Sequence, residues 1–395
     1  MKKYLIIKLV MVMLHYGCSS EEELIEPRNS FTRIYETQQF SDRYEPLAIV
    51  QTADSGYLTL SKTEQWKAHL FKSDEEGFSQ WEMTLEELIV NPLPHLFPLD
   101  SGFIMFGMNE LSQSLEVYSI NPIAKNIELI NTISSIMYPL AVHRTEDNGW
   151  IFLGYDRESQ SSTLHAYSSG FVELWNESYQ AEVDVEEYVV NHIAGVGSAL
   201  PFFVGTSGSH VYFNGFYNYS FSLVFANRND GEVAGALHGY RDESVINAIH
   251  PTNIGQYAVA QSKFGQGSLL SNAAISEQSI AVGSDLPTVD FNEIDENARV
   301  VIKEITQAGQ DIILYGTQTK RRQIVFYAYA KESGELISIN YLGQTNPYLL
   351  GDFTVTGDGG LIVAAETYLA GRFSRLQLFK LSEQEFSAWF QRETE

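Results

Sequence analysis

The sequence predicts an all-β fold, a seven-bladed β-propeller of four-stranded antiparallel blades, on three observations. A turn signal recurs at Asp54-Ser55-Gly56-Tyr57, Asp100-Ser101-Gly102-Phe103, Asp147-Asn148-Gly149-Trp150 and Asp358-Gly359-Gly360-Leu361, with an apolar strand starting directly after each. A small residue follows at the end of that strand, at Ser61, Gly107, Gly154, Gly205, Ala260, Gly316 and Ala365, at intervals of 46, 47, 51, 55, 56 and 49 residues. β-Branched and aromatic residues dominate the runs between, and helical periodicity is almost absent. Periods of this length mark propellers or solenoids, and four short strands per period select the propeller. Weaker turn copies at Gly255-Gln256-Tyr257 and Gly309-Gln310-Asp311 leave six and eight blades open.

Taken in order, residues 1–17 read as a signal peptide. Lys2 and Lys3 precede an apolar run from Tyr4 to Leu14 that is interrupted only by Lys8. Eleven residues are too few for a permanent span, which needs about 20. Residues 18–30 form an acidic tether, with Ser19, Ser20, Glu21, Glu22 and Glu23 directly after Cys18. The propeller occupies 31–395. Phe31–Glu36 belongs to no unit and is expected to pair into the last blade, which lacks its outer strand, and so close the ring.

Within the units, the third reads as strands Leu140–Arg144, Trp150–Gly154, Thr163–Tyr167 and Phe171–Trp175. The sixth reads as Val300–Thr306, Ile312–Thr317, Ile324–Ala330 and Leu336–Tyr341. After Ser382-Glu383-Gln384-Glu385, Phe386, Trp389 and Phe390 stand at helical spacing and predict a short C-terminal helix.

Composition narrows the function classes. Acidic residues outnumber basic ones 50 to 25, for a net charge of −25, which excludes a nucleic-acid partner because phosphate contacts need a basic surface. A single cysteine excludes an internal disulfide framework and a cysteine-rich zinc site. A hydrophobic share of 44% supports a real core.

Gly17 before Cys18 resembles the cleavage site of the lipobox of bacterial lipoproteins, although His15 and Tyr16 depart from its preferred Leu and small residue. The resemblance implies acylation of Cys18 and attachment to the membrane through lipid. The run Ser19–Glu23 is similar to the export signal of Bacteroidota surface lipoproteins and implies an outer-membrane position facing the cell exterior. Cleavage before Cys18 would remove three lysines and no acid, taking the net charge from −25 to −28. The Asp-x-Gly-aromatic pattern over nearly the whole mature chain resembles the propeller-repeat lipoproteins of Bacteroidota. That likeness implies a non-catalytic protein-binding or scaffold subunit of an outer-membrane β-barrel complex for uptake, secretion or assembly. Glycan binding or cleavage at a propeller face is the alternative.

Candidate sites are sparse. His95, His143, His192 and His250 lie in or near the first strand of successive units and are candidates for the central channel. Their offsets to the small residues are 12, 11, 13 and 10, so mixed parity along the strands argues against one converging metal site. Val211–Phe221 carries Tyr212, Phe213, Phe216, Tyr217 and Tyr219 around Asn214-Gly215, the strongest short hairpin signal, and predicts a protruding aromatic hairpin as a binding surface. Asp285, Asp290, Glu293, Asp295 and Glu296 match no calcium loop and read as a solvated connection. Lys320, Arg321 and Arg322 form the one basic cluster. No Gly-x-Ser-x-Gly elbow, phosphate-binding Gly-rich loop or His-Glu-x-x-His motif is present. No catalytic residue, cofactor or metal is therefore assigned.

Overall fold

The computed structural model describes residues 29–36, 43–85, 89–196, 199–239, 244–307, 309–369 and 373–391. Cys18 and Ser19–Glu23 lie outside the described residues.

Seven sheets follow one another along the chain and form a seven-bladed β-propeller. Blade 1 comprises Tyr44–Gln51, Tyr57–Thr63, Ala68–Ser73 and Ser79–Thr84. Blade 3 comprises Ala141–Arg144, Trp150–Asp156, Ser161–Tyr167 and Glu173–Gln180, and blade 6 comprises Val301–Gln307, Gln310–Gln318, Ile324–Ala330 and Leu336–Leu342. Both match the strands read from the sequence to within a few residues.

Two blades carry a fifth strand. In blade 2 the inner strand is broken into Ile89–Val90 and Phe97–Leu99, both paired with Gly102–Asn109. In blade 4, Ile280–Val282 adds in parallel to the outer strand Val233–His238.

The middle strands of a blade are buried nearly throughout, because each blade is covered on both faces by its neighbours. Every residue of the second strand of blade 7 from Leu361 to Thr367 is buried. The core accordingly divides into seven apolar clusters, one at each junction between blades. The seventh joins Tyr35, Ile49, Tyr57 and Phe71 to Ile362, Ala364, Leu376 and Leu378, which completes the circle between blades 7 and 1.

Closure follows the expected route. Phe31–Tyr35 pairs antiparallel with Phe373–Leu381, from Phe31 beside Lys380 to Tyr35 beside Leu376, and becomes the outer strand of blade 7. Its side chains also grip blade 1. The Tyr35 hydroxyl donates to Gly77 O at 2.7 Å, and the Arg33 guanidinium lies 3.8 Å from the centre of the Phe78 ring. The C-terminal helix Glu383–Ser387 is present, opened by a capping box between Ser382 and Glu385, and a 3-10 turn over Ala388–Phe390 follows it.

Alternating strand directions give the disc two distinct faces. One face carries the turns between first and second strands and between third and outer strands, and we call it the turn face. The opposite face carries the turns between second and third strands and the connections between blades. Because Phe31 stands beside Lys380 at the turn-face end, the chain before residue 31 enters on the turn face.

One expectation is corrected. The small residue of blade 4 was placed at Gly205, but Gly205 lies in the inner strand Phe203–Ser207, and the aligned position of the second strand is Asn214. The irregular spacing there comes from an insertion between blades 3 and 4 that contains an unanticipated helix, Glu186–Ile193. In the Asp-x-Gly turns, the positive φ falls one residue before the glycine, at Ser55 (63°) and Asn148 (64°). Gly56 and Gly360 are required for close approach instead: a Cβ there would stand 2.2 Å from Ser73 O or Leu381 O.

Candidate functional site

The turn face is built for stability. Thr52 donates to Asp54 Oδ1 at 2.5 Å, and Thr356 donates to Asp358 in the same way. Each Asp then pairs with a lysine of the third strand of its own blade. Lys72 Nζ is 3.0 Å from Asp54 Oδ2, and Lys380 Nζ is 2.9 Å from Asp358 Oδ2. The lysine side chains are 0% and 2% exposed. Burial alone would raise the carboxyl pKa values. Hydrogen bonds from the threonine and lysine, the lysine charge and the Gly56 or Gly360 N–H outweigh it and hold both below the usual range. In blade 3 the lysine position is Ala166, and Asp147 instead accepts from Arg228 of blade 4 at 3.0 Å.

On the opposite face, the insertion after blade 3 lies over the inner parts of neighbouring blades, and this face is called the helix face below. Val185, Val189 and Ile193 are buried in the junction of blades 3 and 4, and Gly195 comes close to the Trp66 and Lys62 side chains of blade 1. Val189 and Ile193 stand at i and i+4, and Glu186 and Glu187 sit in the first turn, where negative charge favours a helix.

Between the helix and blades 1 to 3 lies a cavity of about 580 Å³. Trp66, Met108, Tyr138, Val190 and Ile193 supply its apolar lining. Its rim carries two ion pairs, Lys67 with Glu110 at 2.7 Å and Arg157 with Glu186. Asp184 and Glu187 add negative charge. Trp66 and Val190 are exposed at the opening, and Leu111, Tyr188 and Val196 are also exposed on this face, Tyr188 beside Phe216 of blade 4.

The aromatic segment of blade 4 does not form the protruding surface expected of it. Tyr212, Phe213 and Phe216 are buried in the blade junctions. Asn214-Gly215 does not turn; both lie within the strand His210–Tyr217. Buried Asn214 donates to Pro201 O at 2.9 Å and Ile246 O at 2.8 Å, and these tertiary bonds override the local turn preference. The turn is instead Asn218-Tyr219, with Asn218 at φ 54°. Tyr217 is half-buried and stacked on His238, so Tyr219 alone of the five is exposed, on the helix face.

The four histidines part company. His95 lies in the break of the blade 2 inner strand and is open to the channel. Desolvation by the surrounding ring is the main cause that lowers its pKa to about 4; the Asp352 charge opposes this, while Arg299, Lys303 and His143 add to it. His143, in the inner strand of blade 3, meets Thr206 Oγ1 of blade 4 at 3.1 Å and is also lowered to about 4, chiefly by burial. His192 is not on an inner strand: it sits in the helix, where Nδ1 accepts from Leu200 N at 3.1 Å. His250 in blade 5 faces Glu304 of blade 6 at 3.7 Å. Among the described residues, no three His, Cys, Asp or Glu side chains stand together as a metal would need.

The remaining sequence clusters are absorbed by the scaffold. Glu293 accepts from the hydroxyls of Tyr327 at 2.7 Å and Tyr341 at 3.0 Å, and Asp290 accepts from Ser268 at 2.5 Å. Lys320–Arg322 forms the second-to-third turn of blade 6, with the Arg322 guanidinium 5.7 Å from the centre of the Tyr368 ring.

The sequence matches no protein-family model and no curated protein. Solved structures of similar fold include the β-propeller domain of the trilobed protease from Pyrococcus furiosus, at 8% identity and a TM-score of 0.44, covering 89% of this chain and 98% of that one. The S. cerevisiae core factor is similar at 7% identity and a TM-score of 0.48 over 94% of this chain and 63% of that one. Drosophila semaphorin 2a is similar at 9% identity and a TM-score of 0.48 over 89% and 75%. No activity or partner follows from likenesses this distant.

Proposed function

We propose that the protein is a non-catalytic binding propeller, anchored through an acylated Cys18 to the outer membrane and presenting its helix face to a protein partner. An outer-membrane β-barrel complex for uptake, secretion or assembly is the proposed assembly. The observation that carries the reading is the opposition of the two faces. The chain from Cys18 enters blade 7 on the turn face, while the apolar cavity and the exposed Trp66, Leu111, Tyr188, Val190, Val196 and Tyr219 occupy the other. Thirteen residues from Cys18 to Phe31 reach at most about 45 Å, so the anchor holds the disc near the lipid and leaves the helix face free. Exposed aromatic and aliphatic side chains around a concavity are the usual core of a protein interface, and the acidic rim favours a partner with basic residues at its edge.

The test is affinity purification from detergent-solubilised membranes. A barrel protein should co-purify in stoichiometric amount with the wild type and be lost with the Trp66→Asp/Val190→Asp variant. Recovery of the propeller alone, with saturable polysaccharide binding, would replace this reading with glycan capture, for which exposed Trp66, Tyr188 and Tyr219 would serve as stacking platforms. Mass spectrometry of the mature N-terminus checks the anchor.

A further inference from the structure

The channel holds a cation without a carboxylate partner. Arg299 precedes the inner strand of blade 6, and its Nη2 donates to Leu47 O of blade 1 at 3.0 Å, past the intervening blade 7. A guanidinium carries five N–H donors. Among the described residues, that carbonyl is its one side-chain partner, and no carboxylate lies within ion-pair distance of it. The nearest acids are committed elsewhere. Asp352 of blade 7 gives one oxygen to Lys303 at 2.9 Å and the other to Ile49 N at 3.1 Å. Glu45 pairs with Lys62 at 3.4 Å.

The balance in this stretch is two fixed cations, Arg299 and Lys303, against one fixed anion, Asp352. Fifty acids on the chain and a net charge of −25 make an unneutralised guanidinium inside the ring stand out. Burial works against its charge, lowering its pKa although Asp352 and Glu45 pull the other way. The side chain is half-buried, and the guanidinium fork fits two oxygens of a carboxylate or phosphate at once.

We propose that the propeller channel is an oxyanion site, in which the free edge of the Arg299 guanidinium grips the carboxylate or phosphate group of a small molecule, with the Lys303–Asp352 pair beside it. Lys303, whose ammonium pairs with Asp352 and donates to Phe353 O, adds charge nearby. The site stands apart from the helix-face cavity, so its failure would leave the docking proposal untouched.

The test is isothermal titration of the full-length protein in detergent, at constant ionic strength, with inorganic phosphate in one arm and succinate in the other. Saturable binding of either probe is expected, with the better one naming the source chemistry. Arg299→Gln should weaken it at least tenfold and Lys303→Gln several-fold, while Lys125→Gln on an exposed turn of blade 2 should leave it unchanged. Arg299→Lys keeps the charge and the Leu47 contact but loses the fork, and should also weaken binding tenfold; it carries the test if the Gln variant does not fold. Binding of neither probe, or undiminished binding in folded Arg299→Lys or Arg299→Gln, overturns the site.

Discussion

Replacing Asp54 by Asn removes one charge and nearly preserves the side-chain shape, so it isolates the ion pair under the blade 1 turn. Lys72 is fully buried, and its ammonium has Asp54 Oδ2 at 3.0 Å and Ser73 O at 2.8 Å. In the variant that ammonium remains inside with neutral acceptors only. Breaking one side of a buried pair costs about 3–5 kcal/mol, whereas an exposed pair contributes about 0–1 kcal/mol. Asp54 is one-third exposed, which places the expected loss at the lower end, about 3 kcal/mol. Asp147→Asn supplies the contrast, because that carboxylate is 76% exposed and its Arg228 partner is not buried; its loss should stay under about 1 kcal/mol. The double variant Asp54→Asn/Lys72→Met removes the stranded charge and should recover most of the lost stability. Urea unfolding followed by tryptophan fluorescence reads all four proteins. A loss below about 1 kcal/mol for Asp54→Asn, or a double variant no more stable than the single, would refute the claim that charge burial locks this turn.

Other expectations follow from the same structure. Gly56→Ala drives a methyl group against Ser73 O and should cost about 1–3 kcal/mol, while Ser55→Gly, at a positive φ, should be neutral or stabilising; thermal midpoints distinguish them. Tyr35→Ala empties a buried site at the closure and loses the bond to Gly77 O, so about 3 kcal/mol should go, with aggregation on heating as the blade 7 edge opens. Acid should weaken the fold in two steps. His69, His143, His165 and His192 titrate near 4 in the folded ring and near 6.5 when unfolded, so the unfolded chain binds more protons in that window and stability falls as pH drops from 6.5 towards 4. Below about 4 the lowered carboxyls of Asp54 and Asp358 add a second loss as they protonate. Urea midpoints between pH 7 and 4 check the first step, and a flat profile would contradict it.

Features that repeat were the most legible in the sequence. Turn chemistry at Asp54, Asp147 and Asp358 and the apolar runs after them are local signals, and each sits where the blade geometry needs a tight reversal. The closing strand was legible by subtraction, since Phe31–Glu36 had no unit and the last unit had no outer strand. Thr52, Thr145 and Thr356, two residues before each of these aspartates, extend the signal and were visible but unread. Two errors share one cause. Asn214-Gly215 looks like a turn and His192 looks like part of a first strand, because local preference is all a short segment can show. In the folded chain, Asn214 is held by carbonyls from Pro201 and Ile246, and Val189 and Ile193 face one apolar junction from successive helical turns. The channel cation was illegible for the same reason, since Arg299 meets Leu47 across 252 residues.

These facts divide the labour between the faces. The turn face carries the buried lysine–aspartate pairs, the capping box and the entry of the closing strand, all of which resist opening of the ring. The helix face carries an inserted α-helix, the only one between blades among the described residues, held by three buried side chains and bordered by exposed apolar ones. The proposed recognition can therefore be tested apart from stability: residues 183–199 can be replaced by a short linker without removing any blade strand. That deletion uncovers part of the junction of blades 3 and 4, so a modest fall in thermal midpoint is expected, while the far-ultraviolet strand signal and the closure should persist. A protein from which the whole ring unravels would mean that the helix is structural cement, and the cavity beside it would then be a seam in the packing instead of a docking surface.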